Sequence, residues 1–386
     1  MSYEQRRFTI LVIIVSISGF SQGMLLPLIS VIFEGDGVSS TLNGLNATGL
    51  YIGTLLISPF IEQPLRKYGY KPIIIFGGAL VFMSLFLFPF WKSVMFWFIL
   101  RLLIGIGDHA LHFSTQTWIT STTATHKLGK SMSIYGISFG VGFAVGPLFV
   151  PLIKISESFP FIISSALCLL AWSLIFFVKN EKPEALAGDA NESGFKRYSL
   201  AIKYGWIAFL PPFVYGFLES SLNALFPVYA LRKDFDVAFV SIILAGFSIG
   251  AIVMQFPLGA LGDKIGRHKV IVSGLFAGSI FFLIGNFFEH SELFVAAVFL
   301  CAGMCVGSMF SLGITYMTDL TPKELLPTGN LLCGIFFSLG SLTGPLLGGF
   351  YLEVFPSSGF LFVISVMLLT VAVAILFFGK SKKIAI

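Results

Sequence analysis

Three ionisable side chains interrupt an apolar stretch at a spacing that brings them together. Arg101, Asp108 and His112 lie within residues 94–118. On a helix turning 100° per residue, seven and eleven steps return Asp108 and His112 to within about 20° of the Arg101 direction. The three share a stripe, with Gly105 between them leaving room for a neighbouring helix. A carboxylate, an imidazole and a guanidinium in one line can hold or release a proton. Removal from water favours the neutral carboxyl, and an adjacent cation favours its charged form. The alternative is a structural ion pair that only fixes packing. Gln116 lies roughly 60° from the stripe, and His109, some 80° away, reads as a packing histidine. A second polar position is Glu219, midway along the apolar stretch 204–230, with Asn223 one turn later. A carboxylate there can exchange a proton for a bound cation or donor. Its bland alternative is a Glu capped by the hydroxyls of Ser220 or Ser221.

These charges are costly because of the elements that carry them. An arginine inside a membrane span costs about 2.5–3.5 kcal/mol on insertion scales, so Arg101 needs a partner or a wet cavity. The chain is 56% hydrophobic and 11% charged, against about 25% charged in soluble domains. Twelve apolar stretches follow one another: 8–33, 41–61, 72–91, 94–118, 131–153, 158–178, 204–230, 238–260, 270–288, 292–317, 329–352 and 357–379. About 20 apolar residues cross a bilayer core, so the expected class is an all-α membrane protein with twelve spans. The first stretch is too long for a signal-peptide core and is expected to be retained. All but five of the 24 Lys and Arg fall on one side of the alternating loops. The exceptions are Arg101 itself and, opposite, Lys92, Lys154, Arg232 and Lys233. Positive loops stay in the cytoplasm, which puts both termini inside and makes the basic balance a matter of topology, with no nucleic-acid partner. Cys301 and Cys305, one turn apart, read as packing residues because no His or carboxylate ligand accompanies them.

The second six stretches echo the first six at an offset of 197 or 198. Gly19-Phe20-Ser21-Gln22 aligns with Gly216-Phe217-Leu218-Glu219, Pro59 with Pro257, and Gly69 with Gly266. Gly142, Gly146 and Pro147 align with Gly340, Gly344 and Pro345. Parallel halves related by an axis along the membrane normal characterise one class of secondary transporter, with substrate held near the midplane. The expected domains are bundles over 1–179 and 204–386, joined by a flexible cytoplasmic linker, 180–203.

Residues 259–269, GALGDKIGRHK, closely resemble a loop motif of the major facilitator superfamily. Gly259 and Gly266 are expected to allow a tight turn and close helix approach. Asp263 is expected to cap or face a helix N-terminus, and Arg267 with Lys269 to pair with carboxylates or lipid phosphates. The first-half counterpart, EQPLRKYGYK, keeps Gly69 but places Arg66 where Asp263 would align. In that respect the chain resembles the YcaD-like group of facilitators, related to drug–proton antiporters. Residues 101–107, RLLIGIG, are similar to the family's Arg-x-x-x-Gly-x-Gly pattern, which is associated with proton coupling. Residues 140–147, GVGFAVGP, resemble its antiporter motif, with a fuller copy in GSLTGPLLGG at 340–349. There the glycines admit a close neighbour and Pro147 bends its helix.

The resemblance implies the twelve-helix facilitator fold, a cavity lined by the first and seventh helices with Gln22 facing Glu219, a loop at 259–269 that latches one access state, and a monomer. No P-loop is present, so ATP does not drive it, and Ser114 near His112 lacks nucleophile-elbow spacing and reads as polar lining rather than enzyme chemistry. No cofactor or metal is expected. The expected function is proton-coupled export of a small amphipathic molecule across the plasma membrane, in a bacterial inner membrane. Two rivals are a proton-coupled importer of a sugar or organic acid, and a membrane sensor that transports nothing.

Overall fold

The computed structural model describes residues 3–183, 194–322, 325–356 and 359–379, and among these every regular element is helical. In a bilayer this follows from the backbone, whose polar groups must bond within their own segment. The first half contains α1 (Tyr3–Gly35), α2 (Ser40–Ile57), α3 (Glu62–Tyr68), α4 (Tyr70–Leu87), α5 (Val94–Thr122), α6 (Thr125–Val145) and α7 (Phe159–Ser173). The second contains α8 (Gly194–Gly205), α9 (Leu210–Leu231), α10 (Val237–Ile265), α11 (Arg267–Phe287), α12 (Glu292–Val306), α13 (Met309–Leu320), α14 (Leu326–Val354) and α15 (Phe360–Phe378).

Ten helices among the described residues are long and apolar enough to cross a membrane. An eleventh span results if α2 and α3, bent by 60°, count as one. Pro59 lies in that break, whereas Pro257 sits inside an unbroken α10, so the repeat does not impose the bend. The remaining expected span, 204–230, is α9 with its approach. It is helical over 22 residues, but Glu219, Ser220, Ser221 and Asn223 dilute its apolarity.

The chain divides into two compact units: Met1–Val38 with Leu45–Leu186, and Ser39–Gly44 with Ala187–Ile386. In each, glycines set the helix seams, and the seams repeat. A Cβ on Gly105 of α5 would meet the Leu50 carbonyl of α2, and one on Gly303 of α12 would meet the Phe247 carbonyl of α10. Likewise Gly142 abuts the Ser16 carbonyl of α1, as Gly340 abuts the Phe213 carbonyl of α9. Such close approach is how apolar helices associate where no hydrophobic drive exists. Gly146 lies 2.5 Å, by a Cβ, from the Phe20 oxygen, and Gly344 2.6 Å from that of Phe217. At Pro147 the halves differ: α6 gives way to a 3-10 segment, Gly146–Lys154, while α14 continues through Pro345 to Val354.

The ends of the first unit are pinned by charge. Lys92 bridges Asp36 and Glu157 at 2.7 and 2.8 Å, tying three loops at one end. Partial burial works against the Lys92 charge, but the hydrogen bonds and attraction of those carboxylates outweigh it and raise its pKa. At the other end the linker proves less free than its composition implied. Arg7 Nη1 donates to both Glu181 oxygens at 2.6 and 2.7 Å, and Trp118 Nε1 donates to Oε2 at 2.8 Å. Asn180 Oδ1 accepts from the Lys71 amide at 3.1 Å, beside Gly69 with its φ of +94°. The far end of the expected linker, Gly194 onward, is helix α8. Residues 184–193, and the C-terminal residues beyond 379, lie outside the described set.

Candidate functional site

Asp108, His112 and Arg101 share one face of α5, as their spacing predicts, and all three turn toward α1. Their partners are not those of the structural ion pair that stood as the alternative. Ser18 Oγ donates to Asp108 Oδ1 at 2.5 Å, and Gln22 Nε2 makes a very short hydrogen bond to Oδ2. Ser18 and Gln22 are one helical turn apart, so a single face of α1 supplies both donors. The same Ser18 oxygen lies 3.0 Å from His112 Nε2, and His112 Nδ1 lies 2.8 Å from the Tyr135 hydroxyl of α6. Thr115 Oγ1 approaches that hydroxyl at 3.4 Å. Asp108 is buried, and Gln22 and His112 are half-buried.

Arg101 stands apart from this chain of bonds. It is fully buried, its Nη2 donates to the Leu25 carbonyl at 3.5 Å, and Nε and Nη1 have no partner. It forms no ion pair among the described residues; seven residues along a helix put its backbone about 10 Å from that of Asp108. A packing ion pair between Arg101 and Asp108 is therefore not how this seam is held. His109 turns away to Ser58 Oγ at 3.1 Å. Ser114 is fully buried, and its Oγ has no hydrogen-bond partner among the described residues.

Glu219 is half-buried in α9, and its carboxylate has no hydrogen bond or ion pair among the described residues. The hydroxyl caps that would make it inert are absent. Ser220 donates to the Gly216 carbonyl at 2.8 Å, and Ser221 Oγ has no partner. Asn223 Nδ2 donates to the Glu219 backbone carbonyl at 2.8 Å, not to its carboxylate.

The 259–269 segment departs from expectation at Gly259. It lies inside α10, with nothing within 4 Å of a Cβ placed there, so it makes neither turn nor close approach. The turn belongs to Gly266 alone, whose φ of +96° only glycine adopts cheaply. Asp263 caps no helix. It pairs with Arg267 at 2.7 Å, and Arg267 reaches Asp319 of α13 at 2.6 Å. The cation thereby ties α10, α11 and α13 together. In the first half, Arg66 pairs with Glu62 at 2.6 Å, and Asn180 and Glu181 pack around Gly69.

Ser18, Tyr135 and Glu181 were missed from sequence. Ser18 had one available signal, its position a turn before Gln22. The repeat also shows what the second half lacks. Phe299 and Val306, both buried, stand where α5 carries Arg101 and Asp108, and Phe299 packs against the rings of Phe226, Phe247 and Phe282.

Buried ionisable groups in glycine-seamed helices, duplicated once, set the terms for comparison with known proteins. The profile described as Major Facilitator Superfamily matches residues 11–236 and again 208–385. The chain belongs to the major facilitator superfamily. It is a multi-span membrane transporter of that family, not an enzyme. Among other facilitators, it is 54% identical to the MFS-type transporter YfkF of Bacillus subtilis, over 97% of this chain and 96% of that one. It is 24% identical to Multidrug resistance protein 1 of the same organism, over 96% and 97%. Against the multi-drug resistance efflux pump PmrA of Streptococcus pneumoniae, identity is 25% over 86% of each chain. Of solved facilitator structures, the nucleoside transporter NupG superposes with a TM-score of 0.83 at 14% identity, covering 97% of this chain and all of that one. A D-xylose-proton symporter gives 0.81 at 12% identity, over 99% of each. At such identities these two establish the fold.

Proposed function

We propose that this facilitator is a proton-coupled exporter of a small amphipathic molecule, working by alternating access. The observation that carries the reading is Glu219, an acid in a membrane-spanning helix whose carboxylate has no hydrogen-bond or ion-pair partner among the described residues. A carboxylate in that position must take up a proton or a cationic partner, and exchange between the two is the elementary step of antiport. Asp108 is the second proton-holding group, tuned by its α1 donors, while Arg101 supplies fixed positive charge to the same unit. Similarity to proteins named for multidrug resistance and efflux supports the outward direction and the broad substrate class. The six-helix bundles run over 1–179 and 204–386 around the 180–203 connection, with both termini cytoplasmic. The protein acts as a monomer in a bacterial inner membrane. The Arg267–Asp263–Asp319 cluster holds the 259–269 turn in one access state.

Reconstitution in liposomes tests this with ethidium as the amphipathic cation and a trapped pH dye as the proton reporter. The wild type should move ethidium against a proton flux. Glu219→Gln should retain folding but lose the pH dependence of transport. Unchanged pH dependence in Glu219→Gln would remove this residue from the coupling role.

A further inference from the structure

The hydrogen bonds in the first unit form one unbroken line, Tyr135–His112–Ser18–Asp108, crossing from α6 through α5 and α1 back to α5. We infer that this line is a one-proton wire that loads and unloads Asp108. The inference rests on the proton-coupled reading above.

The donor arithmetic gives it direction. Ser18 has a single hydroxyl proton, and with Asp108 ionised that proton is committed to Oδ1 at 2.5 Å. The 3.0 Å contact to His112 must then be Nε2–H donating to Oγ. A neutral His112 so protonated has a bare Nδ1, which accepts from the Tyr135 hydroxyl at 2.8 Å. Every bond therefore points toward Asp108. When one proton arrives at Tyr135 Oη, the tyrosine's own proton moves to His112 Nδ1, the Nε2 proton moves to Ser18 Oγ, and the serine proton moves to Asp108. Each O–H or N–H bond broken is matched by one formed. The wire ends neutral at Asp108 with every hydrogen bond reversed and no heavy atom displaced. His112 changes tautomer in the process.

The surroundings favour such a relay. The other titratable or charged groups that face the line are Arg101 and His109 of α5 and Cys168 of α7, with Tyr51 of α2 behind Arg101, and none is hydrogen-bonded into the line. His109 is engaged with Ser58, Arg101 with Leu25, and Cys168 lines a small apolar cavity beside Ser18. Gly142 and Gly146 hold α1 against α6 with backbone contacts, which fixes the helices that carry Ser18 and Tyr135. On the positive-inside assignment, Thr115 and Tyr135 lie on the cytoplasmic side of Asp108. The wire therefore runs from the mid-membrane acid toward the inner face and ends at the buried Tyr135 hydroxyl. Ser18 and Tyr135 are its positioning and relay residues.

The test reads the histidine, not the transport. Protein labelled with 15N-histidine in lipid nanodiscs carries five histidines, and the His112 signal is assigned by its loss in His112→Asn. Titrating pH should switch His112 between the Nε2–H and Nδ1–H tautomers. Asp108→Asn, which can donate to Ser18 as the protonated acid does, should lock the Nδ1–H form. Ser18→Ala should abolish the switch, and Tyr135→Phe should do the same while keeping the ring. One tautomer throughout in the wild type, or a switch that persists unchanged in Asp108→Asn and Ser18→Ala, would overturn the wire. Failure of the coupling reading looks different: the tautomer switch survives, but ethidium transport ignores the pH gradient.

Discussion

Two glycines six residues apart on α6 should respond oppositely to the same substitution. A Cβ on Gly142 would meet the Ser16 carbonyl oxygen, and even the next atoms, Phe20 N and Ser16 C, stand at 2.9 Å. These are backbone atoms of α1 and cannot rotate away. Restoring a 3.5–4.0 Å contact requires the helices to part by roughly 1.5–2 Å, breaking the seam that also holds Gly19 and Gly146. Overpacking of this kind costs about 1–3 kcal/mol, while alanine in place of a helical glycine returns about 0.8–1.0 kcal/mol. With no room to relax, the steric cost lies at the upper end of that range and prevails, and Gly142→Ala should destabilise by about 2 kcal/mol net. Gly136 has nothing within 4 Å, so Gly136→Ala should keep the propensity gain of about 0.8–1.0 kcal/mol without penalty. Thermal unfolding in detergent, followed by thiol-reactive dye at the buried cysteines, separates the two. At about 2 °C per kcal/mol for a large chain, the variants should melt several degrees apart, on either side of wild type. Equal melting temperatures, or Gly142→Ala melting above wild type, would refute the claim that a backbone seam sets this helix pair.

Arg101 and the 259–269 turn give two further expectations. Arg101→Met removes a fully buried guanidinium with two unpartnered nitrogens, so it should raise the melting temperature, by an amount corresponding to about 1–4 kcal/mol, while ethidium transport loses its pH dependence; a destabilised variant would mean that Arg101 has a structural partner. Asp319, whose side chain is 13% exposed, should matter more than Asp263 at 65%. Asp319→Asn should cost about 1–3 kcal/mol by thermal melting and Asp263→Asn under about 1 kcal/mol, and the reverse order would show that Arg267 is anchored elsewhere.

How much of this was legible beforehand varies with the range of the interaction. Helix positions followed from hydropathy because each span satisfies its own backbone. The shared face of Arg101, Asp108 and His112 followed from helical periodicity alone. The partners did not follow, since Ser18 and Tyr135 come from other helices and are common residues, and only Ser18 is marked at all, by its place one turn before Gln22. The pairing of Asp108 with α1 instead of Arg101 depends on which helix brings donors to its carboxylate oxygens, a matter of packing. Gly259 was misjudged because motif position suggested a turn, whereas the helix runs on to Ile265 and only Gly266 leaves helical space. The linker looked featureless because its composition is polar, but Glu181 is tied by Arg7 and Trp118, from helices far away in the chain.

The ring cluster around Phe299 has a wider consequence. The two copies of this seam now differ: one holds Arg101 and Asp108, and its counterpart holds Phe299 and Val306. A proton held at Asp108 therefore has no counterpart at Val306, and the two seams respond differently to pH.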